Sequence, residues 1–298
     1  MRIDGSTKVA GVIGYPIGHS LSPLMHNTAF RELGLDFVYV PFPVHPQDLA
    51  QAIRGMRALG IVGLNVTVPH KVAVMEYCDE LTEDAQRIGA VNTIINRDGV
   101  LIGDNTDARG FVTSLGSPAY ITGQEVLLLG AGGAARAIAF ALLQHKPKRL
   151  TIANRSKERG IQLVKSLAPF GPVELVELGD ELFIQRLASS GLIIHATSCG
   201  MYPACDESII TDATTLLPKD ALVCDIVYNP LKTKLLALAE AAGCQILDGL
   251  GMLVHQGAIA FEAWTGRPAP VAHMEEVLRA HLMSRAAGEV SKESKAEE

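Results

Sequence analysis

The sequence predicts an α/β protein of two domains, the second built on a doubly wound parallel sheet. Three observations carry that expectation. After residue 112, apolar runs alternate with helical stretches. Strands are expected at 125–129, 149–153, 173–176, 191–196 and 221–227, and helices at 133–144, 156–168 and 180–189. A glycine cluster, Gly130-Ala131-Gly132-Gly133-Ala134-Ala135, follows Val126–Leu129 directly and opens the Ala-rich stretch Arg136–Leu143. The part before residue 113 follows a different rhythm, with a hairpin in it. A chain of 298 residues is long enough for two cores.

Each element has a local reason. Residues 8–13 read as a strand, followed by the polar loop GYPIGHSLSP. Ser22-Pro23 starts a helix, because proline suits the first helical position, and Gly34 can end it. Residues 37–42 form a second strand and 46–59 carry helical spacing. Residues 61–68 form a third strand, stopped by Pro69. A helix is expected at 82–88. Residues 93–96 and 100–103 flank Arg97-Asp98-Gly99, a hairpin signal. Late in the chain, 231–242 is a helix ended by Gly243, 245–247 a short strand, and 249–264 and 271–283 are helical. The boundaries expected are residues 1–112 with 248–285 for the first domain and 113–247 for the second. Residues 286–298 have almost no large apolar side chain and are expected to be a disordered tail.

Composition excludes several classes. Hydrophobic residues make up 48% and charged residues 19%, as in ordinary globular enzymes. A net charge of −6 and the lack of a Lys/Arg run argue against a nucleic-acid partner. Met1–Lys8 is polar, so no secretory leader is expected. The longest apolar stretch, Val126–Leu143, is interrupted by glycines and Arg136, so no membrane span is expected. Five cysteines are scattered. Cys199 and Cys205 have no second pair to complete a tetrahedral site. Free thiols in a reducing cytoplasm, and no metal, are the expectation.

The glycine cluster is where chemistry begins. A strand, a tight glycine turn and a helix form a dinucleotide-binding pattern. The first glycine permits the turn, the second lets a pyrophosphate approach the backbone, and the small third residue (Ala135) lets helix and strand pack closely. The helix N-terminus then offers N–H groups to the phosphates. The next strand discriminates the cofactor. An NAD site carries an acid about 20 residues on, at the ribose 2′-hydroxyl. Here the strand ends in Asn154-Arg155-Ser156. A guanidinium suits a 2′-phosphate, so the expected cofactor is NADP.

The first domain holds three dense polar clusters. Asn65-Val66-Thr67-Val68-Pro69-His70-Lys71 places an amide, a hydroxyl and an amine at a strand end. Gly103-Asp104-Asn105-Thr106-Asp107 offers carboxylates and an amide before a helix. Ser20-Leu21-Ser22 gives two hydroxyls beside a helix start, which favours an anion. Each has a plain structural alternative. Ser22 and Asp107 suit helix caps, Lys71 a solvated helix face, and Asn65 and Thr67 strand-end hydrogen bonds. Taken together they mark a ligand site.

The ordered set GVIGYPIGHSLSP, GLNVTVPHK, GAVNTIIN, GDNTD, GAGGAARA, ANRS, ATSCGM, DIVYNP and DGLGMLVHQGAIAFEAWTG resembles the shikimate dehydrogenase family over residues 8–283. The resemblance implies an N-terminal substrate domain with a mostly parallel sheet, a Rossmann-type NADP domain, and C-terminal helices returning to the first domain. It implies NADPH-dependent reduction of 3-dehydroshikimate in aromatic amino-acid biosynthesis. Lys71 would be the acid/base, paired with Asp107. Ser20 and Ser22 would bind the substrate carboxylate, and Asn65, Thr67, Asn92, Asp107 and Gln256 its hydroxyls. Tyr228 would touch the substrate near the nicotinamide. Gly130, Ala131, Gly132, Gly133 and Ala134 would cradle the pyrophosphate. Asn154, Arg155, Ser156 and Arg159 would bind the 2′-phosphate. Thr197, Ser198, Met201, Ile226, Gly249 and Met252 would line the nicotinamide side, and Glu83 would reach the cofactor. The site would lie in a cleft between the domains. A homodimer is compatible with this reading.

Three positions depart from the family pattern. His195 stands where Asn is common, Ala108 where Gly is usual, and Ala135 at the third glycine. His195, closing the apolar run LIIH, is expected to be a hydrogen-bonded structural residue and not a proton donor. The rival readings are a quinate/shikimate dehydrogenase using NAD, a methylenetetrahydrofolate dehydrogenase, and a non-catalytic ligand sensor on the same fold. Asn154-Arg155-Ser156 argues against the first, the Ser-x-Ser loop and GDNTD against the second, and the presence of both Lys71 and Asp107 against the third.

Overall fold

The computed structural model describes residues 3–211 and 216–293, with the backbone alone over 286–293. The chain divides into two compact units. One comprises Met1–Gly110 with Val254–Leu278, and the other Phe111–Leu253 with Arg279–Glu298.

The first unit contains β1 (Lys8–Gly14), α1 (Ser22–Glu32), β2 (Phe37–Pro43), α2 (Leu49–Ala58), β3 (Gly63–Val66), β4 (Glu80–Leu81), α3 (Glu83–Ile88), β5 (Thr93–Arg97) and β6 (Val100–Asp104). α4 (Asp107–Ser114) starts in it. The sheet has six strands in the order β2-β1-β3-β5-β6-β4. β1 runs parallel to β2 and β3, and β4 parallel to β6, while β5 is antiparallel to both neighbours. Every residue of β3 is buried, as a strand covered on both faces requires. α2 buries Leu49, Ile53 and Met56, a single helical stripe, against Ile13, Leu64, Val66 and Ile94. Asp98 and Gly99 both take positive φ, the conformation of the tight hairpin turn between β5 and β6. Trp264 returns to this unit and donates its indole N–H to the Ile94 carbonyl at 3.1 Å. Gly63 lies under that indole. A Cβ there would sit 2.0 Å from Nε1, so only glycine fits.

The second unit contains β7 (Glu125–Leu129), α5 (Gly133–Gln144), β8 (Arg149–Ala153), α6 (Lys157–Leu167), β9 (Val173–Val176), α7 (Glu181–Ser189), β10 (Leu192–His195), β11 (Leu222–Asp225), α8 (Lys234–Ala241) and β12 (Gln245–Leu247). α9 (Leu250–Thr265) and α10 (Val271–Glu293) complete the chain. All six strands are parallel in the order β12-β11-β10-β7-β8-β9. That is the doubly wound dinucleotide-binding order, and the direction of winding reverses between β7 and β10. The carboxyl ends of those two strands therefore flank the crevice where such sheets hold ligands.

The differences from expectation are local. The expected strand 61–68 shortens to β3, although Val62 N and Thr67 N on either side still bond the Val9 and Ile13 carbonyls, and Pro69 has no N–H to carry the pairing further. The stretch 46–59 splits into a short 3-10 turn, Pro46–Asp48, and α2. The helix expected at 231–242 begins only at Lys234, where the Thr233 hydroxyl caps it by accepting from Leu236 N. β4 had no signal of its own. α10 continues to Glu293, into the segment expected to be disordered, since Ala287, Glu289 and Lys292 favour helix even without an apolar face. Residues 294–298 of that tail lie outside the described residues. Among the described residues no helix is long and apolar enough to cross a membrane.

Candidate active site

In the first unit the clusters that hold Lys71 and Asp107 meet at Asp107, together with Asn92. Lys71 Nζ donates to Asp107 Oδ2 at 2.5 Å. Asn92 Nδ2 donates to Asp107 Oδ1 at 2.8 Å and reaches Gln256 Oε1 at 3.4 Å. Both carboxylate oxygens are therefore engaged, and the pair is largely screened from water, with side chains 14% and 6% exposed. A charge pair this buried holds its geometry only because further hydrogen bonds satisfy it. Those come from the strand ends. Asn92 Oδ1 accepts from Thr106 N at 2.8 Å, and Asp107 N donates to Asn105 Oδ1 at 3.1 Å. Asn105 in turn donates to the Ala90 carbonyl at 2.9 Å, and Lys71 O accepts from Val91 N at 2.7 Å. The three motifs thus close on one another around the end of β5.

Asn65 extends the network inward. Its amide donates to Thr93 Oγ1 at 3.2 Å, and its oxygen accepts from the Tyr39 hydroxyl at 2.7 Å. Burial raises the Tyr39 phenol well above its ordinary range, so it remains a donor. Thr67 is half-buried just beyond β3, and its hydroxyl makes no hydrogen bond among the described residues. Ser20 Oγ accepts from Ser22 N at 3.3 Å, and Ser22 is the buried first residue of α1. Little of that helix's first turn is left to donate, since Ser22 N is taken by Ser20, Pro23 has no N–H and Met25 N bonds the Leu21 carbonyl at 3.1 Å, so the two hydroxyls are the groups that suit an anion. Glu83 is set apart from this cluster: it is an exposed residue at the start of α3, paired with Arg87 four residues on.

In the second unit the glycine turn has the shape its sequence requires. Gly130 has φ +123, and a Cβ there would lie 2.7 Å from the Ala196 carbonyl oxygen. Gly132, by contrast, has open space where a side chain would stand. It precedes α5 with no side-chain cap, leaving first-turn N–H groups for a ligand. These observations fit a dinucleotide pyrophosphate. At the end of β8, Asn154 donates to the Ser156 carbonyl at 2.7 Å, and Ser156 caps α6. Arg155 and Arg159 are exposed and make no ion pair among the described residues. Gly249 packs on the Ile226 backbone so closely that a Cβ would meet the Ile226 oxygen at 2.3 Å. Met201 N bonds the Ser198 carbonyl at 3.3 Å, and Met252 is buried. Tyr228 is half-buried.

Residues 12–94 match the model of the shikimate dehydrogenase substrate-binding domain. Residues 116–230 match the shikimate/quinate 5-dehydrogenase domain, and 249–279 the shikimate 5′-dehydrogenase C-terminal domain. The shikimate dehydrogenase (NADP(+)) of Methanopyrus kandleri is 48% identical over 95% of this chain and 98% of its own. The chain belongs to the shikimate dehydrogenase family. The structure of Listeria monocytogenes shikimate 5-dehydrogenase, in complex with shikimate and NAD, matches it with a TM-score of 0.86. It is 40% identical and covers 93% of this chain and 98% of that one. A shikimate dehydrogenase in complex with NADP+ also gives 0.86, at 42% identity over 94% of this chain and 98% of its own.

As a member of the shikimate dehydrogenase family, the chain has supporting residues that its motifs did not announce. Tyr39 and Thr93 hold Asn65, and Thr106 and Asn105 hold Asn92 and Asp107. Thr106 and Asn105 lie inside GDNTD, which hinted at them. Tyr39 gave no signal, being one alternating residue of an ordinary strand.

Proposed function

We propose that this protein is an NADP-dependent shikimate dehydrogenase that reduces 3-dehydroshikimate reversibly to shikimate. The Lys71–Asp107 pair, oriented by Asn92, is the observation that carries the reading. The dinucleotide, when bound, supplies the hydride that the protein's own groups cannot. The remaining work falls to side chains. The Lys71 ammonium has three donors, and Asp107 occupies one. Another can give its proton to the oxygen of the reacting carbonyl and stabilise the charge developing there. In the reverse direction the same nitrogen takes the hydroxyl proton.

Positioning follows from the other hydroxyls and amides. Ser20 and Ser22 suit a carboxylate at one end of the substrate. Thr67, Asn65, Asn92, Asp107 and Gln256 suit ring hydroxyls. Fixing both ends removes the rotational freedom that would otherwise oppose reaction. Tyr228, Thr197, Ser198, Met201, Ile226, Gly249 and Met252 are assigned to the nicotinamide end, and Glu83 to a peripheral cofactor contact. Gly130, Ala131, Gly132, Gly133 and Ala134 are assigned to the pyrophosphate. Asn154, Arg155, Ser156 and Arg159 are assigned to the 2′-phosphate, for which two unpaired guanidinium groups are suited. We place the enzyme in the cytoplasm, where its free thiols Cys78, Cys199, Cys205, Cys224 and Cys244 would stay reduced.

The test is an oxidation assay with shikimate or quinate, each with NADP+ or NAD+. Shikimate with NADP+ should give the highest kcat/KM of the four. A dominant rate with quinate and NAD+ would favour the broader dehydrogenase, and no turnover with any pair would favour a sensor.

A further inference from the structure

His195 and Asp225 are the last residues of β10 and β11 and stand opposite each other in the parallel register. Both are 2% exposed. Asp225 Oδ1 accepts from Val227 N at 2.9 Å, and Oδ2 accepts from the Thr233 hydroxyl at 2.7 Å. Oδ1 also lies 2.9 Å from His195 Nδ1. Asp225 acts throughout as an acceptor, so the proton of this contact belongs to Nδ1. Nε2 is engaged by the Thr197 hydroxyl at 2.5 Å. Thr197 Oγ1 in turn accepts from Cys199 N at 3.2 Å. Both ring nitrogens are thus engaged inside the chain Thr233–Asp225–His195–Thr197, which leaves the imidazole no open position for a ligand.

The outcome of this network lies at its far end. With its hydroxyl held by His195, Thr197 turns its methyl toward the glycine turn. A Cβ at Gly130 would come within 3.0 Å of Thr197 Cγ2. The same carboxylate fixes the first turn after β11 through Val227 N. Two loops that leave the crevice end of the sheet are therefore tied together through one side chain. We propose that His195 is a positioning residue for dinucleotide binding, seating Thr197 against the Gly130 turn and bracing the loops after β10 and β11. This rests on the reading of the second unit as a dinucleotide site. A residue that merely supports the fold would affect stability and both ligands alike.

The experiment is calorimetric titration of NADP+ and of shikimate into the full chain, with thermal unfolding in parallel. His195→Asn keeps a donor near the Nδ1 position for Asp225 but cannot reach Thr197. It should raise the Kd for NADP+ by about fivefold to tenfold, the scale of one hydrogen bond. The Kd for shikimate should stay within about twofold and Tm should change little. Thr197→Val should give a similar loss, and the double variant should be no weaker than the worse single one, since both cut one contact. Unchanged NADP+ affinity in His195→Asn overturns the proposal, as does a uniform loss of both ligands. A double variant whose loss is the product of the singles overturns it too. If His195→Asn does not fold, His195→Gln takes its place in the same titrations: wild-type NADP+ affinity or a uniform loss of both ligands overturns the proposal, and a selective loss of NADP+ affinity upholds it. A wild-type chain that binds NADP+ without oxidising shikimate refutes the assigned reaction but leaves this inference to its Kd values. A wild-type chain that binds no dinucleotide refutes the inference.

Discussion

At the scale of the residue, Asp107 is the hub, since each of its oxygens has its own partner. Lys71→Ala should lower kcat by about 10²–10⁴, the usual contribution of a placed acid/base, with a smaller change in shikimate Kd. Steady-state kinetics beside equilibrium titration checks it, and near-native turnover would remove Lys71 from that role. Asp107→Asn should be worse for binding. One amide cannot present an acceptor to both Lys71 and Asn92, so a donor must face a donor, and KM should rise as kcat falls. Arg155→Ala should raise the KM for NADP+ by about tenfold or more, since a charge-assisted contact is worth roughly 1.5–3 kcal/mol. The KM for NAD+ should hardly move. Equal losses with the two cofactors would make Arg155 a residue of the fold. Lys71, Asp107 and Arg155 stand out in the sequence because each sits in a short, dense motif, and the structure brings Lys71 and Asp107 into contact. The Tyr39–Asn65 bond was not legible, because its partners lie 26 positions apart in unrelated strands.

At the scale of the element, the glycine turn separates two duties that look alike in sequence. Gly130 needs positive φ and has backbone 2.7 Å from where a Cβ would be, whereas Gly132 has neither constraint. Gly130→Ala should therefore lower Tm clearly, at a cost of about 1–3 kcal/mol from backbone strain with the added clash. Gly132→Ala should leave Tm nearly unchanged and weaken NADP+ binding, because its space is kept for a ligand. Thermal unfolding beside calorimetry reads both, and a Tm loss in Gly132→Ala equal to that in Gly130→Ala would contradict the distinction. Helices and strands were legible to within a few residues. Their ends were less so, since caps such as Thr233 and the break at Pro69 compete with apolar periodicity that runs on past them.

At the scale of the whole molecule, His26 links the first unit's core to pH. It stacks on Tyr39 at 4.4 Å with an angle of 14° between rings, and neither ring nitrogen has a hydrogen-bond partner among the described residues. Burial pushes its pKa from 6.5 down to about 3. The unfolded chain takes up this proton first. Stability that is full above about pH 6.5 is therefore lost as pH falls toward 3, by up to about 1.4 kcal/mol per pH unit. His26→Leu should flatten that slope, whatever it does to stability at neutral pH. Urea unfolding at several pH values between about 7 and 4 measures it. An unchanged slope would mean that other groups, not His26, set the acid sensitivity.

Sequence by itself determined the element types, the doubly wound second unit, the glycine turn and the motifs around Lys71 and Asp107. All of these rest on periodicity or on residues within one turn or strand of each other, and such interactions are fixed by the local backbone. The tertiary structure decided which side chains meet. Asn92 reaches Gln256 across 164 positions, His195 finds Asp225 across 30, and the His26 ring nitrogens meet no hydrogen-bond partner among the described residues. Those outcomes depend on strand order and register. Strand order and register follow from how whole faces bury against one another, and no single segment carries that information.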